Sequence, residues 1–377
     1  MKLSNQRIHR VGGFLLVLVV SCNASYSQTG RELFDQRIVE WKEIVAKLQY
    51  LRLEHSLAAN REESSQFREQ FEATKIKGEE KIREIKSAAA KAFRESPSRG
   101  TDYFSFLRNT LPLDLEQKED QTIAYEMASA LATKPITEPD LARRVGMSLF
   151  INGDFTKAKE LLEFAISRNA TQEFTGIEKQ LQLIPRLQPL WEREQQFRKK
   201  DAESELPIAT IETTKGSFDV LLFEDQAPNT VKNFITLAEQ GYYEDMDFFL
   251  VNPFGFAFTG KPIGPGYVIK NEGKDRENRR DNFRGSFSVP ARDEGSPHLS
   301  PSVFLVTFVP YAEASTDKYC NFGRVIRGMP VVDSLTRSST LESKPVEGFV
   351  PDKVKKITIR NKRDHDYKPE KIVDFPQ

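Results

Sequence analysis

The spacing of hydrophobic residues divides this chain into a helical N-terminal half and a strand-rich C-terminal half. From Glu32 to about Arg94, apolar residues recur every three or four positions among charged residues, which is typical of amphipathic helices. The apolar positions of the first helix are Ile38, Trp41, Ile44, Val45, Leu48 and Leu51. A second helix between about Ser64 and Ala92 can pair with the first. The pattern predicts a helical hairpin over residues 29–98, with a coiled-coil dimer as the alternative.

Residues 99–200 form a second helical block, in which small residues recur at a spacing typical of paired helices. The positions are Gly146, Leu149, Ala158, Leu162 and Ala165, with a turn at Gly153-Asp154-Phe155. This spacing resembles a tetratricopeptide repeat, in which small residues let two helices cross closely. An ordinary helical hairpin is the alternative. One repeat cannot bury both of its faces, so neighbouring helices must pack against it, and the repeat interpretation predicts a protein partner for this region.

A charged helix from Leu183 to Lys200, with Pro185 and Pro189 as candidate breaks, leads into a polar linker at residues 201–207. Two short runs rich in β-branched and aromatic residues then follow within Ile208 to Phe223. They flank a Lys-Gly pair, so the pattern predicts a β-hairpin. An amphipathic helix is predicted next, since a polar cap at Asn229 or Thr230 precedes a helical apolar pattern and a glycine stop.

Further motifs follow this hairpin and helix in a fixed order. They are Gly241-Tyr242-Tyr243, Gly266-Tyr267 with Glu272, Gly285-Ser286-Phe287-Ser288, Ser302-Val303-Phe304-Leu305-Val306 and Asn321-Phe322-Gly323-Arg324-Val325 with Gly328-Met329. Together they resemble the cyclophilin-type peptidyl-prolyl cis-trans isomerases. The resemblance implies that residues 208–361 form a closed antiparallel β-barrel with an isomerase groove on its outer face. The expected fold class is therefore multidomain α and β, with an all-α N-terminal region before the barrel.

The isomerase reaction needs a group that stabilises the twisted amide. Rotation about the Xaa-Pro bond faces a barrier of roughly 18–20 kcal/mol, and a fixed cationic donor near the prolyl nitrogen favours the twisted state selectively. In the family this donor is the arginine of a Phe-His-Arg-Val string. That string reads Phe248-Phe249-Leu250-Val251 here, so the resemblance places Leu250 at the arginine position, and its side chain has no donor.

Other groove positions have also lost their polar groups. The resemblance places the family's two glutamines at Phe258 and Val303, and one pocket phenylalanine at Leu305. A second pocket phenylalanine falls on Gly255, although a slip of one residue brings in Phe254 or Phe256 instead. The expected groove residues are Phe249, Phe256, Phe258, Val303, Phe304 and Leu305. They either extend the core across a filled groove or line a remodelled apolar cleft that binds peptides.

Arginines elsewhere in the domain are candidates for a substitute cation. Arg324 and Arg327 match ordinary positions of the family pattern, so we interpret them as solvated surface charges. Arg292 lies near the rim of the family's pocket and stays a candidate. The sequence thus predicts an isomerase with weak activity that acts on Xaa-Pro bonds of a proline-containing peptide or protein. The alternative is an inactive module that binds peptides or proteins.

The N-terminal residues 1–28 are predicted to be a bacterial export signal. Basic residues precede an apolar run from Val11 to Val20, and small residues follow. The mature protein is therefore expected in the periplasm or cell envelope. Val19-Val20-Ser21-Cys22 resembles a lipobox, so membrane attachment is expected only if Cys22 carries a lipid.

Composition narrows the remaining classes of function. Lys plus Arg and Asp plus Glu both number 55, so net charge gives no indication of a nucleic-acid partner. The four histidines and two cysteines are scattered without metal-ligand spacing, so neither a metal nor a cofactor is expected. The charged segment at residues 362–377 contains Pro369 and Pro376 and is predicted to be disordered.

Overall fold

The structure is a computed structural model that describes residues 28–117, 120–168, 177–275, 277–293, 295–311, 318–340 and 344–373. The predicted export signal therefore lies outside the described residues, except for Gln28. The helices of the first half are α1 Gly30–Leu57, α2 Arg61–Glu95, α3 Asp102–Pro112, α4 Gln121–Leu131, α5 Pro139–Ile151, α6 Phe155–Ser167 and α7 Ile177–Ala202. In the described part of the chain, no helix is both long and apolar enough to cross a membrane.

The first two helices form an antiparallel hairpin because both have strong N-caps and a short turn between them. Thr29 caps α1 in a reciprocal capping box with Glu32, and Asn60 caps α2 through the backbone N–H of Glu63. The start of α1 lies against the end of α2, where Gly30 leaves no room for a Cβ beside Ala92. The C-terminal part of α2 carries most of the buried residues and joins the core of the helical half.

Helices α5 and α6 cross closely because of small residues. A Cβ on Gly146 would lie 2.9 Å from the Leu162 side chain, and Ala158 and Ala165 on α6 are fully buried. The turn between the helices needs Gly153, whose φ of 89° is left-handed. This packing is compatible with the tetratricopeptide interpretation, which stays a prediction.

Helix α7 is longer and more buried than the sequence indicated. It continues through Pro185 and Pro189 and extends to Ala202, so it takes up the first residues of the predicted linker at 201–207. The buried side chains of Ile184 and Leu187 anchor the proline-containing part in the helical core. Asp201 is also buried, because its carboxylate pairs with an arginine of the second half. Residues 201 and 202 therefore belong to a helix that packs against the second half, and not to the polar linker that the sequence predicted.

The second half is built on one strongly curled antiparallel sheet. Its strands are β1 Ile208–Thr213, β2 Gly216–Leu222, β3 Leu250–Val251, β4 Phe256–Gly260, β6 Ser286–Pro290, β8 Val303–Thr307, β9 Tyr319–Arg327 and β10 Val354–Arg360. Their order is β10-β1-β2-β9-β6-β8-β4-β3. Helices α8 Pro228–Glu239 and α9 Met329–Asp333 pack against this sheet. A smaller sheet joins β5 Tyr267–Lys270, β7 His298–Leu299 and β11 Ile372–Val373 in the order β11-β5-β7.

The prediction of a closed barrel is wrong, because β3 and β10 remain as the two edges of the sheet. Strand β3 has only two residues, and both pair with β4 on one side. Instead the segment before β3 touches the start of β10, where the N–H of Phe248 donates to the carbonyl of Asp352 at 2.8 Å. The result is a half-barrel with a phenylalanine-rich core that includes Phe234, Phe287 and Phe322.

Cys320 lies in this core, on β9. Burial raises the pKa of its thiol to about 12, with the nearby carboxylate of Glu272 adding to the effect. The described structure thus holds this cysteine as a packing residue, protonated at neutral pH.

The C-terminal segment has a defined structure over residues 362–373, where the sequence predicted disorder, and the remaining four residues of that prediction, 374–377, lie outside the described residues. Tyr367 is buried against the second core, and its hydroxyl donates to the carboxylate of Glu224 at 3.2 Å. His365 stacks on the Tyr367 ring, and Ile372 pairs with Val268. One buried aromatic side chain and a short strand therefore hold a charged segment that its composition alone marks as solvated.

The two halves are joined by a buried ion-pair cluster around Arg280. Its side chain is 0% exposed, donates to both Glu194 oxygens at 2.8 and 2.9 Å, and contacts both Asp201 oxygens at 3.1 Å. The guanidinium also lies 3.7 Å from the ring centroid of Phe223 and 4.7 Å from that of Phe197. Because Glu194 and Asp201 belong to α7, one barrel arginine fixes that helix against the sheet.

Replacing Arg280 with alanine is expected to lower the free energy of unfolding by about 3–5 kcal/mol, because it removes the one fully buried cation of the cluster. The buried carboxylates of Glu194 and Asp201 would keep only their single contacts with Arg198 and Arg324. The matched control is Arg327→Ala, which removes an arginine that is 73% exposed and should cost about 0–1 kcal/mol. Urea unfolding followed by circular dichroism measures both. Equal losses would contradict the proposed role of the buried cluster.

Candidate functional site

The outer face of the curled sheet carries a row of side chains that cross neighbouring strands. Leu250 on β3 pairs with Phe258 on β4, Phe258 pairs with Leu305 on β8, and Leu305 pairs with Ser288 on β6. Paired residues of antiparallel strands point to the same face. The structure therefore brings together Leu250, Phe258 and Leu305, which the sequence assigned to one groove.

Strand alternation separates Phe304 from this group. Ala257 and Val306, the neighbours of Phe258 and Leu305, belong to the second core, and so does Phe304. Its ring lies 4.7 Å from that of Phe287 and 5.7 Å from that of Phe234, and it is 1% exposed. Phe304 thus lies inside the half-barrel rather than on the outer face, because side chains along a strand alternate with a period of two.

The outer face has a buried floor and a more open aromatic rim. Val303 and Leu305 are 5% and 1% exposed. Phe256 and Phe258 are half-buried, and their rings meet edge to face at 5.0 Å. Phe249 is 39% exposed, and its ring centroid lies 6.2 Å from that of Phe258. The floor of this face is thus filled by packing while its rim offers aromatic surface, and peptide binding there stays a prediction.

The row contains no charged donor. Leu250 and Phe258 supply only carbon, and the Ser288 hydroxyl is buried and donates to the Oδ1 of Asn282 at 2.7 Å. The arrangement can bind an apolar ring such as that of proline through dispersion and the aromatic faces. It offers no fixed cation to a twisted amide.

The three candidate arginines differ in their surroundings. Arg327 is a surface residue paired with Asp219 at 2.8 Å, as predicted. Arg324 is not a solvated charge, since its side chain is 20% exposed and contacts Asp201 at 3.4 Å; burial lowers its pKa, with the positive charge of Arg198 adding to the effect. Arg292 is exposed, and its guanidinium lies 3.8 Å from the carboxylate of Asp293.

Comparison with known proteins assigns this domain. The family model described as cyclophilin type peptidyl-prolyl cis-trans isomerase/CLD matches residues 208–359. Peptidyl-prolyl cis-trans isomerase-like 1 of Aspergillus niger is 34% identical over 145 residues, which are 37% of this chain and 87% of the relative. The chain belongs to the cyclophilin-type peptidyl-prolyl cis-trans isomerase family.

Bacterial and structural relatives of this cyclophilin chain were also found. A peptidyl-prolyl cis-trans isomerase of Helicobacter pylori is 32% identical over 154 residues, or 38% of this chain and 90% of the relative. A crystal structure of a Cryptosporidium parvum cyclophilin-type isomerase has 25% identity and a TM-score of 0.35, and the match covers 41% of this chain and 98% of that one. The family model lies within the C-terminal half of the chain, at residues 208–359.

Sequence reasoning missed one aromatic residue beside the groove of this cyclophilin, and it could not tell that another, Phe254, lies away from the groove. The Tyr311 ring lies 6.2 Å from that of Phe256 and extends the aromatic rim. Phe254, considered as a substitute pocket ring, has a left-handed φ of 49° and packs against the core of the helical half. Phe256 therefore supplies the ring on the outer face. No local pattern marks either residue, because each depends on a partner distant in sequence.

Alanine substitutions distinguish the core phenylalanine from the groove phenylalanine. We expect Phe304→Ala to lower the free energy of unfolding by about 3–5 kcal/mol, because it opens a cavity among packed rings. Phe258→Ala should cost roughly 1–1.5 kcal/mol, since its half-buried ring leaves less apolar surface to lose. Urea unfolding midpoints report the difference. Comparable losses at the two positions would show that Phe258 belongs to the core.

Proposed function

We propose that the cyclophilin domain of this chain binds proline-containing segments on the Leu250–Phe258–Leu305 face and isomerises their Xaa-Pro bonds only slowly. The observation that carries this proposal is the cross-strand row itself. Its apolar side chains lie on one face, as the family resemblance suggests for the groove, and the residue that the resemblance assigns to the arginine position is leucine. The substrates that we expect are unfolded or extended protein segments, in keeping with a role in protein folding.

The expected rate follows from the chemistry of the missing donor. Twisting the amide returns a lone pair to the prolyl nitrogen, and a preorganised donor stabilises that state more than the planar ones. Removing such a donor typically costs on the order of 10²–10³ in rate. Leu250 can hold a ring by packing but cannot donate, so ground-state binding is retained while transition-state stabilisation is reduced.

The test is NMR exchange spectroscopy of Xaa-Pro peptides with the mature chain and with Leu250→Arg. We expect the wild-type protein to give small exchange cross-peaks and the arginine variant to exchange at least about tenfold faster. The matched control is Leu250→Met, which changes the side chain at similar volume without a donor and should leave the rate unchanged. Fast wild-type exchange that Leu250→Arg leaves unaltered would contradict the proposal.

A non-catalytic binding module is the second candidate. It is favoured by the loss of polar groups at Leu250, Phe258 and Val303 together, and by the helical half with its closely crossed α5–α6 pair, for which we propose a protein partner. In the same experiment, peptide shifts perturbed by wild type without any exchange cross-peaks would favour this function. The titration therefore discriminates between a slow isomerase and a binding protein.

We further propose that the chain acts in the bacterial cell envelope. Support comes from the basic residues, apolar run and small residues before Gln28, and from the lipobox-like string that ends at Cys22.

Fractionation of a bacterial host that expresses the full chain tests this localisation. We expect the protein in the periplasmic or membrane fraction, and deletion of residues 2–20 should retain it in the cytoplasm. Cys22→Ser then distinguishes the two forms, since loss of a lipid would move a membrane-bound protein to the soluble fraction. Cytoplasmic wild-type protein would refute the localisation.

A further inference from the structure

A cleft of about 230 Å³ lies where the helical half meets the cyclophilin domain. Its helical wall includes Tyr125 of α4 and Trp191 of α7, and its cyclophilin wall includes Phe283, Pro310 and Met329. The Trp191 and Phe283 ring centroids are 4.7 Å apart. Because the walls come from both halves, neither half forms this cleft alone. A space of this size fits one large side chain rather than a whole small-molecule ligand.

The charged groups at the cleft are already paired. Arg284 donates to both oxygens of Asp333, at 2.6 and 2.8 Å, and also contacts Thr122 at 3.1 Å. Arg198 pairs with Glu194 at 2.9 Å, and its guanidinium lies 4.6 Å from the Trp191 ring centroid. An anionic ligand would have to displace these carboxylates, whereas an apolar one would not. The chemistry of the cleft therefore favours an aromatic or aliphatic side chain.

The segment at residues 308–311 lies between the cleft and the groove. This segment is held by the N–H of Phe308, which donates to Gly255 at 2.8 Å, and by the N–H of Tyr311, which donates to Asn282 at 3.1 Å. Pro310 lines the cleft, and the next residue, Tyr311, contacts Phe256 at the groove rim. One short stretch of chain is thus a wall shared by both sites.

We propose that this cleft is a second subsite, which binds an aromatic side chain of the same peptide whose proline lies in the groove. The inference rests on the proposed function, because it assumes that the groove holds the proline. The ring centroids of Phe258 and Phe256 are 5.0 Å apart, and those of Phe256 and Tyr311 are 6.2 Å apart. These two distances together indicate how far a peptide must extend from the groove towards the cleft. At ~3.3–3.6 Å per extended residue, the aromatic residue should lie roughly three to five positions from the proline. The substrate class is thus an unfolded segment that carries both residues.

Tyr125 is half-buried in the helical wall of the cleft. Burial raises the pKa of the Tyr125 phenol, and the negative charge of Asp154 adds to the effect. The cyclophilin family model matches the chain from Ile208 onward, so it includes the cyclophilin wall of the cleft but not the helical wall with Tyr125 and Trp191. An aromatic requirement would therefore be specific to chains that carry this helical half.

The experiment is a titration of the full mature protein with synthetic peptides that contain one proline and a phenylalanine three, four or five residues away on either side. Each peptide has a partner with alanine in place of phenylalanine, and a further partner with alanine in place of proline. Calorimetry gives the affinities. The protein variants are Tyr125→Ala, which removes one wall of the cleft, and Tyr50→Ala, a matched loss of an exposed tyrosine on α1.

In the wild-type protein and in Tyr50→Ala, we expect the best phenylalanine peptide to bind about tenfold tighter than its alanine partner. In Tyr125→Ala this ratio should fall to about twofold. A second measurement does not depend on that variant. The chain has two tryptophans, so Trp41→Phe leaves Trp191 as the only tryptophan. The tryptophan emission of this variant should shift when the phenylalanine peptide binds but not when the alanine peptide binds.

Equal affinities for the phenylalanine and alanine peptides, together with unchanged Trp191 emission, would overturn the proposed subsite. The proposed function would still hold in that case if binding continued to depend on the proline. An equal loss in Tyr50→Ala and Tyr125→Ala would also overturn it. If replacing the proline changes nothing but the coupling between phenylalanine and Tyr125 persists, the cleft stands and the groove proposal falls. The two proposals thus fail separately.

Discussion

The buried guanidinium of Arg280 is the interaction on which the architecture depends. It is enclosed by two carboxylates of α7 and two phenylalanine rings, in a setting where an unpaired charge would be costly. The pairing therefore fixes α7 on the half-barrel with a single geometry. Arg193, which pairs with Asp281, and the contact between Trp191 and Phe283 continue the same interface. The packing of α7 against the half-barrel in turn forms the cleft near the groove.

Under the function that we propose, the groove keeps the shape of the family fold but lacks its cationic donor. Strand pairing still places Leu250, Phe258 and Leu305 on one face, because register depends on the backbone and on the inward-facing core. The outward residues of these strands are under no such constraint. Polar groups can therefore be exchanged for apolar ones without disturbing the sheet. What changes is the balance between binding a proline ring and stabilising the twisted amide.

The helical half supplies more than a spacer. It contributes Tyr125 and Trp191 to the cleft, and its core extends to Phe254 and Phe283 of the cyclophilin domain. A peptide on the groove would thus lie next to a surface that the isolated cyclophilin unit does not provide. Recognition of an unfolded segment by two adjacent apolar sites raises affinity without requiring a new catalytic group.

Local sequence determined most of the helices and strands, because periodicity and turn residues act over a few neighbours, whereas only the family resemblance suggested where the groove lies. Alternation along β8 was equally visible, yet which face is inside required the sheet, and only the structure placed Phe304 in the core. The open edge between β3 and β10, the ordered Tyr367 segment and the burial of Asp201 depended on partners far along the chain. Such contacts leave no periodic trace, so tertiary structure alone decided how the two halves meet.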